Sequence, residues 1–252
     1  MSSVNTRLVT QSPKTFLILG DSWSQGEIDN GEVVHQGLIQ FLRDDGHTVY
    51  NQGGLGFSNE RAYQECKKAL DKDIDYVIWF VTDSLRDLSE QEYIAELKQK
   101  QSVKQVVRDT HHACYRKFNE LGIPVYLIGA WAPVVEDIDQ YANLKVLIPC
   151  IHEFLVPDSN IPNNKTTSGT VSKVTLYHPT ITLYEHVRQS ARHVPTPKIK
   201  QEMIELINED GYALFVRKNN PKWFYPDDNH ANRNAHYKVY ELVKERLINE
   251  SR

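Results

Sequence analysis

Short apolar runs alternate with stretches of helical period along the first half of the chain. Lys14 to Leu19 reads as a strand by its continuous apolar run, and the run stops abruptly at Gly20-Asp21-Ser22. Gly20 to Asn30 has the composition of a loop. Val33, Val34, Leu38, Ile39, Phe41 and Leu42 then recur at helical spacing, and Asp44-Asp45-Gly46 ends that helix. Thr48 to Tyr50 predicts a second strand running into the glycine-rich NQGGLGFS turn, after which Ser58 or Asn59 caps a helix to about Leu70. Asp75 to Val81, DYVIWFV, is the most strand-like segment and is apolar enough to be covered on both faces, as in parallel sheets. Ser89 to Leu97 and Val103 to Leu121 are helical in period, with Gly122 closing the second. Pro124 to Ile128 is a fourth strand.

From about Val134 to Lys198 the periodicity weakens, and SNIPNNKTTSG has the composition of an exposed loop. This stretch is expected to be an irregular insertion. Order returns with a helix over Ile199 to Asn208, a short strand over Tyr212 to Val216 and a closing amphipathic helix over Ala235 to Ile248. Residues 1–13 read as a polar arm. Strands alternating with helices predict βαβ units and a doubly wound parallel sheet within one α/β domain spanning 1–252.

Composition narrows the function classes. A chain of 252 residues with 40% hydrophobic and 25% charged residues is that of an ordinary soluble globular protein, and a net charge of -4 points away from a nucleic-acid-binding surface. The N-terminus lacks the apolar core of a secretory signal and no window approaches a spanning helix, so a cytoplasmic location with no membrane contact is expected. Cys66, Cys114 and Cys150 are widely spaced and match no metal-ligand arrangement, which predicts reduced thiols rather than a disulfide framework or zinc site.

The chemistry gathers around three stretches. A strand ending in Gly20-Asp21-Ser22 puts a hydroxyl at the carboxyl edge of a sheet, where open α/β folds bind ligands, so Ser22 is the candidate nucleophile. Asp227 and His230, three residues apart in PDDNHANRNAH, can supply an oriented imidazole base if the intervening turn is tight, although a histidine in a polar loop is commonly just solvated. Gly53, Gly54 and Gly56 can present backbone N–H groups inward, and the Gly56 and Ser22 amides together would make a two-donor oxyanion hole.

These stretches, GDSWSQGE (20–27), NQGGLGFS (51–58), FVTDS (80–84) and DDNHANRNAH (227–236), resemble the SGNH or GDSL hydrolase family in content and order. The resemblance implies a flavodoxin-like three-layer α/β/α fold, Ser22 as nucleophile, His230 as general base, Asp227 rather than Asp228 as its orienting partner, and the Gly56 amide as an oxyanion donor. It implies no metal or organic cofactor, and His236 reads as structural.

One position departs from the pattern. The family has Gly-x-Asn-Asp after the third strand, with the asparagine donating to the oxyanion; here Val81-Thr82-Asp83-Ser84 puts Asp83 at that place. An ionised carboxylate accepts and cannot donate. Three accounts are open: Asp83 held protonated by burial, a donor supplied by Thr82, Ser84 or Asn59, or a site that hydrolyses poorly or not at all. Asp83 could also simply cap the next segment or pair with Arg86. The expected function is ester hydrolysis through an acyl-serine, on short acyl (acetyl) esters of a carbohydrate or similar polar alcohol, the partner being a small-molecule or glycan ester. The alternative is an inactive binding module, such as a glycan-recognition domain. Trp23, Trp131, Trp223 and Tyr225 could line a cleft in either case or pack in the core.

Overall fold

The computed structural model describes residues 12–130, 132–135, 137–157, 196–225 (backbone alone for 207–215) and 230–249. The polar arm up to residue 11, the SNIPNNKTTSG loop, Trp131 and Asp227 lie outside the described residues. In chain order the elements begin with β1 (Thr15–Leu19), the one-turn helix α1 (Ser22–Gln25), β2 (Glu27–Asp29), β3 (Glu32–His35), α2 (Leu38–Asp44), β4 (Thr48–Asn51) and α3 (Asn59–Ala69). They continue with β5 (Tyr76–Val81), α4 (Glu90–Lys100), α5 (Val103–Asn119), β6 (Val125–Gly129), β7 (Leu144–Ile148), α6 (Ile151–Leu155), α7 (Pro197–Lys218) and α8 (Arg233–Val243).

Alternation along the strands sorts the apolar side chains into two cores. Phe16, Ile18, Ile78, Phe80, Ile128 and Ile148 turn to one face, where α2, α6 and α8 cover them through Leu38, Leu42, Ile151, Val239 and Val243. Leu17, Leu19, Val77, Trp79, Val81 and Leu127 turn to the other, against Ala62 and Cys66 of α3 and Tyr115 and Phe118 of α5. A strand dressed on both faces needs apolar residues at nearly every position, which is why β1 and β5 are continuous apolar runs. The sheet order is β4-β1-β5-β6-β7 with every pair parallel. Without the β2–β3 hairpin this is the flavodoxin-like order 2-1-3-4-5, whose switch point lies between β1 and β5. The architecture is three-layer α/β/α.

Four expectations are corrected. Gly20 to Asn30, expected as a loop, holds α1 and β2. Val33 and Val34 belong to β3 of an antiparallel hairpin rather than to the first helix, which begins at Leu38. Asn30 (φ 49°) and Gly31 (φ 80°) supply the left-handed turn that joins the strands, and both valines are exposed, at 46% and 50%. The segment expected to be irregular contains β7, one of the two edge strands, and α6. Tyr212 to Val216 is helical, inside the continuous α7, because a short apolar run does not distinguish strand from buried helix. Cys66, Cys114 and Cys150 are free and buried. Among the described residues no helix is long and apolar enough to cross a membrane.

Candidate active site

Ser22 is placed by the residue before it. Gly20 leaves β1 at φ 135°, and a Cβ there would lie 2.6 Å from the Phe80 carbonyl oxygen, so β1 can end this close to β5 only with glycine. Asp21 is fully buried and caps α1: its Oδ1 accepts the Trp23 amide at 3.1 Å. Its Oδ2 accepts the Thr82 hydroxyl at 2.7 Å and pairs with the Arg86 guanidinium at 3.1 Å. A buried carboxylate is tolerated because these donors replace its water. The result ties the serine turn to the end of β5 and presents the half-buried Ser22 at the carboxyl edge of the sheet, beside the switch point.

The opposite wall is a pinch in the chain before α8. The Tyr225 amide donates to the His230 carbonyl at 3.0 Å and the Asn232 amide to the Trp223 carbonyl at 2.9 Å, with Phe224 and Ala231 bridged between them. Asn232 then caps α8, accepting the Asn234 and Ala235 amides. This sets His230 Nε2 at 2.9 Å from Ser22 Oγ, with the imidazole 6.0 Å from the Trp23 ring. A ring that accepts the serine hydroxyl at Nε2 carries its proton on Nδ1, the nitrogen an orienting carboxylate must reach. His236 is buried, and burial pushes its pKa down to about 4, so it is neutral at physiological pH.

The glycine-rich turn and the end of β5 complete the rim. The Gly53 amide donates to Asn51 Oδ1 at 3.0 Å and the Gly54 amide to the Gly20 carbonyl at 3.1 Å, so both are engaged within the turn. Gly56 follows in an exposed turn at φ 70°. Asp83 caps the next turn, its Oδ1 accepting the Leu85 amide at 2.9 Å. Arg86, offered by the sequence as an ion-pair partner for Asp83, pairs with Asp21 instead. The three substitute donors are all engaged elsewhere. Thr82 Oγ1 donates to Asp21, Ser84 Oγ donates to the Val107 carbonyl at 3.1 Å, and the Asn59 amide donates to the Thr82 carbonyl at 2.9 Å while its oxygen accepts the Thr82 amide at 3.0 Å. His111 Nε2 also lies 3.2 Å from the Thr82 carbonyl, and Asp87 accepts the Glu60 amide at the head of α3. Burial raises the Asp87 carboxyl and lowers His111 to about 4. This cage fixes the backbone around position 83. Of its members, His111 and Asp87 were missed in the sequence because each stands alone in its own segment and only the fold brings them to the end of β5.

Trp23 is a core residue, 1% exposed, with the His230 ring 6.0 Å and the Arg217 guanidinium 4.9 Å from its ring, so it does not line an open cleft. Cys150, His152 and Glu153 offer three ligand atoms within 4.8 Å of one another. Burial pushes the Cys150 thiol up to about 11 and lowers His152 to about 4, and the neighbouring Arg217 charge further disfavours protonation of the histidine. That guanidinium opposes a dication as well.

Neither a protein-family model nor a curated protein matches the chain. Among solved structures it is similar to AlinE4, described as an SGNH-hydrolase family esterase, at TM-score 0.37 and 20% identity over 73% of this chain and 95% of that one. It is also similar to TesA, at TM-score 0.40 and 15% identity over 92% of this chain and 97% of that one. In its strand order the chain has a flavodoxin-like three-layer α/β/α fold, and at the carboxyl edge of its sheet Ser22 of the GDSWSQGE stretch meets His230.

Proposed function

We propose that the protein is a carboxylic ester hydrolase working through an acyl-serine intermediate. The observation that carries this reading is the 2.9 Å approach of Ser22 Oγ to His230 Nε2 at the sheet's switch point. Ser22 attacks the ester carbonyl as His230 takes its proton. His230 returns that proton to the leaving alcohol, and water then hydrolyses the acyl-serine by the same route. Asp227 orients the imidazole, and the Ser22 and Gly56 amides receive the oxyanion. Short acyl, acetyl-type esters of a carbohydrate or similar polar alcohol are the proposed substrates, on the strength of the motif resemblance. No step calls for a metal or organic cofactor.

A second reading, a binding module with a latent triad, is favoured by one observation: Thr82, Ser84 and Asn59 are all committed to other partners, so none replaces the donor absent at Asp83. Hydrolysis of a chromogenic acetyl ester separates the two. The enzyme reading predicts turnover by the parent that Ser22→Ala abolishes; equal turnover in parent and Ser22→Ala would overturn it.

A further inference from the structure

The two halves of the candidate pair come from opposite ends of the chain, yet a third side chain joins them away from the reacting atoms. Glu27 lies five positions after Ser22, just beyond α1, and its side chain is 6% exposed. Its Oε1 accepts the Tyr225 hydroxyl at 2.5 Å and its Oε2 accepts Arg233 Nε at 3.1 Å. Tyr225 and Arg233 bracket His230: the first is bonded through its amide to the His230 carbonyl, and the second is the opening residue of α8.

We propose that Glu27 is a positioning residue, a clamp that sets the Ser22–His230 distance by holding the histidine loop against the serine turn at two points. This rests on the reading of Ser22 and His230 as a nucleophile and its base. The clamp has direction. Arg233 is 56% exposed and its 3.1 Å bond is screened by water, so the shorter 2.5 Å bond from the Tyr225 hydroxyl to the same carboxylate is the stronger arm. Burial works to raise the Glu27 carboxyl, but the bonds from Tyr225 and Arg233 outweigh it and hold the group below its ordinary range. Glu27 in turn pushes Tyr225 up to about 12, so the hydroxyl remains a donor at any working pH. Neither Glu27 nor Tyr225 changes charge near neutrality.

The geometry separates this role from one in substrate binding. Glu27 touches the loop that carries His230 and not the reacting pair, so its loss should slacken their alignment while leaving substrate affinity alone. A misplacement near 1 Å in such a pair costs on the order of 100-fold in rate. The test compares Glu27→Ala, Glu27→Gln and Tyr225→Phe with the parent, reading kcat and KM for an acetyl ester, melting temperature, and hydrogen exchange at the Tyr225 and Asn232 amides. The clamp predicts kcat lowered about 10- to 100-fold in Glu27→Ala at unchanged KM, a smaller loss in Glu27→Gln because the amide oxygen still accepts from Tyr225, and a loss in Tyr225→Phe without a drop in melting temperature. A rise in KM at constant kcat would overturn it. The exchange measurement needs no activity: faster exchange confined to the Tyr225 and Asn232 amides in Glu27→Ala supports the clamp even if the parent proves inert, and unchanged exchange refutes it whatever the esterase assay reports.

Discussion

Under the proposed reading, Asp83 is the residue on which the rate depends. Its Oδ1 accepts the Leu85 amide, so a neutral carboxyl that donated toward an oxyanion would have to carry its proton on Oδ2. The surrounding backbone is immobilised by Asn59, His111 and the Thr82–Asp21 bond, which leaves little room for a substitute donor to swing in. Asp83→Asn keeps the side-chain shape and the capping oxygen while adding an N–H. The expected outcome is a rise of about 10²- to 10³-fold in kcat for an acetyl ester, the range that one oxyanion donor supplies. An unchanged or lower kcat would mean that the position faces away from the reacting carbonyl. At this scale the sequence nominated a hydroxyl and an imidazole from opposite ends of the chain, and the structure brings Ser22 Oγ and His230 Nε2 to 2.9 Å. Asp21 and Glu27 were not recognised as the connectors they are, since each becomes a hub only when donors 61 to 206 positions away fold onto it.

The elements most legible in the sequence were those whose burial is uniform. β1, β4, β5 and β6 follow their apolar runs to within a residue or two, and Ser58, Ser89 and Gly122 mark helix ends as read. Failures came where burial and period conflict. The helical spacing of Val33 and Val34 with Leu38 was coincidental; Asn30-Gly31 was the stronger signal, because a left-handed pair of residues makes a hairpin turn and breaks a helix. β7 escaped because LKVLI is short, sits at the edge of the sheet and is flanked by stretches without period. α7 runs through an apolar segment that reads equally as strand, and its length decides the matter. The hairpin is the consequential miss, since β2 carries Glu27 to the histidine loop.

For the molecule as a whole, buried histidines set the response to acid. Burial holds His111, His152 and His236 at about 4 in the folded chain, against an ordinary 6.5. Their folded-state values are depressed, so the unfolded chain binds protons that the folded chain refuses, and stability falls as pH drops from 6.5 toward 4. Each contributes a loss of about 1.4 kcal/mol per pH unit in that window. Glu27, Asp45 and Asp109, held low chiefly by bonds that overcome their burial, add further loss below the carboxylate range, while Asp87, raised by burial, works in the opposite sense. Melting temperature should therefore be level from pH 7 to 8 and decline steadily below about 6.5. A melting temperature constant down to pH 4.5 would contradict the neutral state of these rings.

The central claim is that Ser22 is an activated nucleophile with His230 as its base, and covalent capture tests it most directly. On incubation with a fluorophosphonate, the purified chain is expected to gain one phosphonyl group, located by peptide mass mapping at Ser22. That adduct should be absent in Ser22→Ala and form far more slowly in His230→Ala. Labelling elsewhere in the chain, or an equal rate in His230→Ala, would contradict the account.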